Sequence, residues 1–460
     1  MSNTGITIFG GTGDLTYRKL MPALYNLFKR GLLDEEFDIC AIGRKKYSKE
    51  EYTSIIKDWI IKFARLKVDE EHLNEFFKHV NYLQMEFTKP EDYSLLNDYY
   101  YQSKFNNHVV YLAVAPSFFE QITDGVSKTK CIKNPKIILE KPFGDSRENA
   151  KFLSHKLEST FGENNIYRID HYLGKEMVRN ILSIRVTNPI ISNIWDSNSI
   201  ESVSISALEK VGVETRGNYY DETGALMDMV QNHLLQILTI VALDNPQGTL
   251  HNQQFRVLQD LIPVDKLDIK KSMVLGQYKG YRQEDKVNED SQTETYAALK
   301  LFIDNPKWKD VPFFIRTGKR CNEREIEVTI TFKRISPNIE PNILVIKIQP
   351  VEGVYLEFNI KTPGEENGLT KAKMEFCQSC EDVFRQNTPE AYERMILACL
   401  NSDNSWFSKW NQIELSWDYI EKLKEEYKKA GLPVYEYEQG SSGPLEANNL
   451  MDNKDQMWKY

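Results

Sequence analysis

The sequence predicts an α/β domain followed by an α+β domain. The chain has 460 residues, which is more than one hydrophobic core usually supports. Strand and helix patterns alternate up to about residue 170, as in a parallel sheet covered by helices. Beyond that point, strand patterns are separated by turns more often than by helices, which indicates an antiparallel sheet with added helices. We therefore predict two domains, 1–170 and 171–460.

The composition is that of an ordinary globular protein, with 41% hydrophobic and 27% charged residues. A formal net charge of -9 argues against nucleic acid or an anionic membrane as the main partner. The longest apolar run, 234–243, is about half the length of a membrane span. The amino-terminal residues are typical of neither a transit peptide nor a signal sequence. We expect a cytoplasmic protein.

The cysteines give no signal for a metal site. Cys377 and Cys380 form the only CxxC pair, and this pair lacks the second pair or the histidines that a zinc site needs. We therefore treat the pair as accidental and expect no metal.

A strand, a glycine-rich turn and a helix follow one another at the start of the chain. Residues 5–9 form a short apolar strand pattern, "GGTGDL" follows it, and a helical pattern begins by residue 20. Glycines let the backbone approach a pyrophosphate, and the following helix N-terminus offers free amides. Thr16 stands where the usual GxGxxG pattern has its third glycine, so a simple tight turn is the alternative. The residues predicted to bind the dinucleotide here are Gly10, Gly11, Thr12, Gly13, Asp14 and Leu15.

The second predicted strand, 38–43, ends in Arg44 and two lysines. A carboxylate at this position would favour NAD, whereas cations suit the additional phosphate of NADP. The pattern favours NADP, and a solvated basic loop is the alternative. Further strand patterns at 109–114 and 136–139 extend the parallel sheet, and a helix is expected to begin near Ser146.

Two segments carry histidine beside carboxylates. In "GALMDMVQNHLLQI", a helical pattern places Asp228, Gln231, Asn232 and His233 among apolar residues. A neutral imidazole paired with a carboxylate can act as a general base for an alcohol. The alternative is a core histidine whose hydrogen bonds are satisfied internally.

The second segment is "RIDHYLGKE", 168–176. If it is helical, His171 and Lys175 lie one turn apart and could bind a phosphate monoester, although Gly174 makes a regular turn uncertain. Asp170 would then point elsewhere and could pair with a histidine from another segment. A solvated charge cluster is the alternative.

Together, "GGTGDL", "EKPFG", "RIDHYLGKE", "MDMVQNHLLQI" and "PFFIRTGKRCNERE" resemble the glucose-6-phosphate dehydrogenase family in its bacterial form, over nearly the whole chain. The resemblance implies an N-terminal Rossmann-like parallel sheet domain. It also implies a larger C-terminal β+α domain whose extended antiparallel sheet mediates formation of a homodimer, with further pairing of dimers left open. The implied reaction oxidises glucose 6-phosphate at C1 to 6-phosphogluconolactone with hydride transfer to NADP, the first step of the oxidative pentose phosphate pathway.

The resemblance also implies roles for individual residues. His233 is the general base for the C1 hydroxyl, and Asp170 orients its ring. Lys141 reaches both substrate and coenzyme, beside a candidate cis proline, Pro142. Arg44 matches the residue that contacts the 2′-phosphate, although NAD remains a second coenzyme. The other implied sugar-phosphate ligands are His171, Tyr172, Lys175, Glu209, Asp228, Lys319 and Arg324.

The carboxyl-terminal tail is polar and rich in turn residues. The polar segment 439–456 is predicted to be extended, and its start resembles the bacterial form, so the second NADP site of animal members is not expected.

A sugar dehydrogenase of the glucose-fructose oxidoreductase type is one rival family, but it does not explain "RIDHYLGKE". A catalytically inactive NADP-binding protein is another, but it would not need Asp170, His171, Lys175 and His233 together.

Overall fold

The protein divides into two compact units. The computed structural model describes residues 3–34, 36–101, 105–144, 146–244, 249–377, 389–453, 455–456 and 458. One unit comprises Met1–Gly174 with Gln386–Trp410, and the other comprises Lys175–Arg385 with Asn411–Tyr460. The sequence boundary grouped 386–410 with the second domain, whereas this segment is part of the first unit. Cys380 lies outside the described residues.

The first unit contains a six-stranded parallel sheet in the order β3-β2-β1-β4-β5-β6. The strands are β1 (Asn3–Phe9), β2 (Glu36–Gly43), β3 (Val80–Gln84), β4 (Asn107–Leu112), β5 (Lys136–Leu139) and β6 (Ile166–Arg168). The strand order reverses between β1 and β4, and ligands of such sheets bind beyond the carboxyl ends of the strands at this point. The predicted α/β class and Rossmann-like sheet are confirmed.

The second unit is built on a nine-stranded sheet in the order β14-β13-β12-β11-β7-β10-β9-β8-β15. The strands are β7 (Ile200–Leu208), β8 (Met273–Tyr278), β9 (Tyr296–Leu301), β10 (Phe313–Gly318), β11 (Glu325–Phe332), β12 (Ile343–Gln349), β13 (Gly353–Lys361), β14 (Leu369–Cys377) and β15 (Val434–Tyr437). Most neighbours are antiparallel, but β7 and β10, and β8 and β15, run parallel. The predicted extended sheet is confirmed as a mixed, mostly antiparallel one.

Helices cover both sheets. The helices before residue 174, all in the first unit, are α1 (Met21–Lys29), α2 (Lys49–Phe63), α3 (Glu70–Lys78), α4 (Tyr93–Tyr100), α5 (Phe119–Lys128) and α6 (Arg147–Phe161). The helices after residue 174 are α7 (Glu176–Thr187), α8 (Pro189–Ser192), α9 (Gly217–Ala225), α10 (Leu235–Ala242), α11 (Leu250–Gln259), α12 (Ile269–Ser272), α13 (Ala391–Leu400) and α14 (Trp410–Lys429). Of these, α13 belongs to the first unit. Ser146 caps α6 by accepting a hydrogen bond from the Asn149 amide, as its position before the helical pattern predicted.

A buried ion pair fastens α13 to the rest of the first unit. The Glu393 carboxylate is 1% exposed and accepts two hydrogen bonds from the Arg65 guanidinium, at 3.1 and 2.9 Å. It also accepts one from the Asn26 amide at 3.0 Å. A buried carboxylate needs such partners, so α13 depends on residues that precede it by more than three hundred positions.

The apolar segment Glu214–Ala242 is long enough to cross a membrane, but 83% of its most apolar window is buried inside the protein. It is also interrupted at Gly224, whose φ of 67° and ψ of 177° are not helical. The segment is therefore a core element of the second unit.

The carboxyl-terminal segment is not the extended tail that its polar sequence predicted. It forms a 3₁₀ helix, Leu445–Leu450, in which Ala447 and Leu450 are buried. Three further contacts fasten it to the second unit: Lys300 with Asp452, Arg334 with Asp455, and the Arg316 guanidinium over the Trp458 ring. The prediction is wrong because the segment carries apolar side chains and carboxylates that match groups on the sheet, and these pairs are far apart in sequence.

Candidate active site

The glycine turn after β1 is hydrogen-bonded to the end of β2. The amides of Gly10 and Gly11 both donate to the Ile42 carbonyl, at 3.2 and 2.7 Å. Gly10 has a φ of 91°, and a Cβ there would lie 2.2 Å from the Ala113 carbonyl oxygen. A Cβ on Gly11 would lie 2.8 Å from that of Ala41. Only glycine fits these two positions.

The rest of the turn leads into the first helix. The Gly13 amide donates to the Gly10 carbonyl at 2.9 Å, and the same oxygen accepts from the hydroxyl of Thr16 at 2.9 Å. Thr16 is fully buried, so a hydroxyl closes the turn where the usual pattern has a glycine. Asp14 is exposed and Leu15 is half-buried. A backbone cradle free of side chains at a helix start fits a pyrophosphate.

Arg44 lies beside this cradle. It follows Gly43, and a Cβ on Gly43 would be 3.0 Å from Cγ2 of Thr12, so the end of β2 touches the turn. Arg44 and the two lysines after it are exposed. The strand end therefore offers cations and no carboxylate to a ligand on the turn.

Lys141 and Asp170 form an ion pair in the first unit. The Lys141–Pro142 peptide is cis, as the resemblance suggested. The Lys141 ammonium lies 3.0 Å from Oδ2 of Asp170, whose side chain is completely buried. The Tyr172 amide donates to the other carboxylate oxygen at 2.9 Å. This network fixes the orientation of both side chains.

Glu140, which the sequence reasoning missed, precedes this pair. Its carboxyl group accepts a hydrogen bond from the Tyr111 hydroxyl and contacts that of Tyr392. Burial raises the pKa of Glu140 to about 7, and the two phenols and Lys141 oppose the shift. The available signal was its place directly after the buried strand β5, at the first letter of "EKPFG".

The segment 171–174 forms a turn, so His171 and Lys175 do not lie one turn apart on a helix as predicted. His171 is exposed, and its ring lies 4.8 Å from that of the buried Tyr172. The backbone turns because the Gly174 amide donates to the Asp170 carbonyl at 3.3 Å. In the second unit, the Lys175 ammonium donates to the Gln349 side chain at 2.5 Å. Gln349 is a second residue that the sequence reasoning missed.

Asp228 and His233 share one face of a π-helix, Leu226–Leu234. The hydrogen bonds of this helix join residue i to residue i+5, as from Leu235 to Val230, so positions 228 and 233 lie one turn apart. An α-helix, with 3.6 residues per turn, would separate them around its axis. The helix itself was predicted, but its π geometry was not.

These two side chains differ in their surroundings. His233 is buried, with 6% of its surface exposed. Asp228 is contacted by the Tyr219 hydroxyl at 3.4 Å and the Arg216 guanidinium at 3.6 Å. The sequence reasoning singled out neither Tyr219 nor Arg216, because a tyrosine and an exposed arginine before a helix carry no specific signal.

Glu209 and Lys319 lie together at the ends of β7 and β10. Their side chains form an ion pair, and the Lys319 ammonium lies 4.9 Å from the centre of the Tyr220 ring. The Glu209 amide donates to the Gly318 carbonyl at 2.9 Å, which aligns the two strand ends. Arg324 is exposed. The second unit therefore brings Glu209 and Lys319 together, and Asp228 and His233 together.

Family models match almost the whole chain. Residues 7–180 match the model described as "Glucose-6-phosphate dehydrogenase, NAD binding domain", and residues 182–459 match that of the C-terminal domain. The chain belongs to the glucose-6-phosphate dehydrogenase family.

Individual members of the glucose-6-phosphate dehydrogenase family are similar over their full length. The chain is 37% identical to glucose-6-phosphate 1-dehydrogenase of Bacillus subtilis, over 97% of this chain and 96% of the relative. A solved structure described as glucose-6-phosphate dehydrogenase in complex with its substrate glucose-6-phosphate has a TM-score of 0.91 at 32% identity, covering 100% of this chain and 99% of that one. The Mycobacterium avium enzyme has a TM-score of 0.85 at 30% identity, covering 98% and 96%.

Proposed function

We propose that the protein is a cytoplasmic glucose-6-phosphate 1-dehydrogenase that uses NADP and acts as a homodimer. The observation that carries the proposal is the full-length similarity to a family member solved with glucose 6-phosphate. The reaction is oxidation of the C1 hydroxyl to 6-phosphogluconolactone. The coenzyme, when bound, accepts the hydride from C1.

In this reaction His233 removes the proton of the C1 hydroxyl, and Asp170 orients the imidazole and stabilises its charged form. Burial of both side chains supports these roles, because charge interactions are stronger away from water. Lys141 would hold Asp170 in place and reach both ligands.

The phosphate of the sugar would be bound by His171, Tyr172 and Lys175. His171 and Lys175 can carry positive charge, and the Tyr172 hydroxyl can donate a hydrogen bond. These properties suit a phosphate monoester. The hydrogen bond from Lys175 to Gln349 supports the role of Lys175, since it holds a long side chain in one direction.

The sugar hydroxyls would be bound by Glu209, Asp228, Lys319 and Arg324. Carboxylates accept and cations donate hydrogen bonds, so a mixed set suits several hydroxyls. The side chains of Glu209 and Lys319 already pair, which supports a preformed polar pocket. NADP is favoured over NAD because Arg44 and its neighbouring lysines adjoin the glycine cradle.

The homodimer would form through the β13 and β14 side of the large sheet. β14 is an edge strand, and Leu369, Met374 and Phe376 on it are more than half exposed. An exposed apolar edge strand favours association, and a second copy of the chain would bury it. The mass in solution at micromolar concentration, for the wild type and for Met374→Glu, tests this proposal; a wild-type monomer would contradict it.

The central experiment follows the absorbance of the reduced coenzyme, NADPH or NADH, when glucose 6-phosphate is added to purified protein with NADP or with NAD in separate runs. His233→Asn should abolish turnover while leaving sugar-phosphate binding nearly intact, whereas Lys175→Ala should mainly raise KM. Absence of signal with both coenzymes in the wild type would contradict the proposed function. Exchanged effects of the two variants would contradict the assigned roles.

A further inference from the structure

Glu294 is a buried carboxyl group that fastens the start of the helix carrying Asp228 and His233. It lies shortly before β9 and is 2% exposed. Its side-chain Oε1 accepts a hydrogen bond from the Leu226 amide at 3.2 Å. Its main-chain carbonyl accepts one from the Ala225 amide at 2.9 Å. One residue therefore holds two successive amides at the beginning of the π-helix.

The chain approaches this point through a kink that only glycine permits. Gly224 has a φ of 67°, and a Cβ there would lie 2.5 Å from Oε1 of Glu294. The kink lets the carboxyl group come close to the amides that the helix start leaves without intrahelical partners. The helix direction is thus set by contact with Glu294 as well as by its own hydrogen bonds.

The same segment also contacts a second proposed sugar ligand. The carbonyl of Thr295 accepts a hydrogen bond from the Lys319 amide at 3.0 Å. The Tyr437 hydroxyl donates to the Lys319 carbonyl at 2.6 Å. Positions 294 and 295 are therefore connected to the π-helix on one side and to Lys319 on the other.

The groups around Glu294 restrain its carboxyl group, which is the acceptor for the Leu226 amide. The Lys424 ammonium lies 3.9 Å from Oε1, and the amides of Leu226 and of Glu294 itself also face the carboxyl group. Burial raises the pKa of Glu294, while Lys424 and these amides oppose the shift. The hydrogen bond from the Leu226 amide and the nearby Lys424 ammonium both act on Oε1, so they hold the carboxyl group at the helix start.

We infer that Glu294 is a positioning residue for catalysis, which holds the π-helix in the register that places Asp228 and His233 toward the sugar. This inference rests on the proposed function, because it concerns how those two side chains are presented. The Leu226 amide needs an acceptor but not a charge, so glutamine at position 294 can replace glutamate whereas leucine cannot.

The test compares Glu294→Leu and Glu294→Gln in the full-length protein. Displacement of a catalytic group by a fraction of an ångström lowers the rate strongly, so Glu294→Leu should reduce kcat between about tenfold and a hundredfold. The KM for glucose 6-phosphate should rise by a smaller factor than kcat falls, because Asp228 moves with the helix whereas the proposed phosphate ligands are on other segments. Glu294→Gln should restore kcat to within about threefold of the wild type.

Hydrogen exchange in peptides that span residues 225–234 supplies a readout independent of turnover. Exchange there should be faster in Glu294→Leu than in the wild type and in Glu294→Gln. Glu201→Leu is the matched control, because Glu201 also accepts side-chain hydrogen bonds in the second unit, from Asn453 and Gln456. It should leave both kcat and exchange in 225–234 unchanged.

Three outcomes would overturn the inference: wild-type kcat in a folded Glu294→Leu, unchanged exchange in 225–234, or a Gln variant as impaired as the Leu variant. A wild-type protein that does not oxidise glucose 6-phosphate would remove the proposed function and this inference together. An active wild type with an unimpaired Leu variant would remove this inference alone.

Discussion

Glu140→Gln should change how the free energy of unfolding depends on pH. The Glu140 carboxyl group has an ordinary pKa of 4.5 and a pKa of about 7 in the folded protein. Between these values the folded state keeps a proton that the unfolded state has released. The stabilisation from this group is therefore fully present below pH 4.5 and is lost as the pH rises to about 7.

The size of the effect follows from the shift. One pKa unit corresponds to about 1.4 kcal/mol, so the complete loss is on the order of 3 kcal/mol. Between about pH 5.5 and pH 8, where the protein can be handled, about 2 kcal/mol of this should be seen. Glutamine does not titrate but still accepts the hydrogen bond from Tyr111, so the variant lacks this pH dependence.

Urea unfolding followed by circular dichroism at both pH values gives the required free energies. The wild type should lose stability relative to Glu140→Gln by about 2 kcal/mol on going to the higher pH. Glu71→Gln, a change at an exposed position of α3, serves as the control and should show no such difference. An equal stability difference between wild type and Glu140→Gln at the two pH values would refute the reasoning.

Three further changes test other features. Gly10→Ala should destabilise the first unit by more than about 3 kcal/mol and abolish coenzyme binding, whereas Gly31→Ala, at a φ of 65° with no atom within 4 Å, should cost only about 1 kcal/mol; similar losses by urea unfolding would contradict the clash argument. Arg44→Ala should raise the KM for NADP at least about tenfold with little change for NAD, and equal changes in steady-state KM would show that Arg44 does not bind the extra phosphate. Arg334→Met should speed hydrogen exchange in residues 445–456, because Arg334 pairs with Asp455, and unchanged exchange would show that the segment does not depend on this pair.

The elements that the sequence predicted best are those whose evidence is local. The glycine turn, its flanking strands and the cap at Ser146 each depend on residues within one short window. The His233 helix was also recognised from its apolar spacing. Its π geometry was not, because a spacing of five between two polar residues has no meaning until the hydrogen-bond pattern is known.

The features that could not be predicted from the sequence depend on contacts between segments that are far apart in the chain. Glu294 precedes a strand in a polar sequence and looks like part of a solvated turn, since the amide that it binds is 68 positions earlier, at Leu226. The carboxyl-terminal segment was predicted to be extended for the same reason, because its partners Lys300 and Arg334 are remote in sequence. Composition describes a segment and says little about the surface on which it packs.

The return of α13 to the first unit limits how the gene can be recombined. A truncated protein that stopped at residue 174 would lack Glu393, leaving the Arg65 guanidinium and the Asn26 amide without the carboxylate that they bind. A chimera that takes only its amino-terminal portion from a relative would pair that relative's residues at positions 26 and 65 with Glu393 of this chain. An exchange that keeps this contact within one parental sequence transfers α13 together with the amino-terminal part.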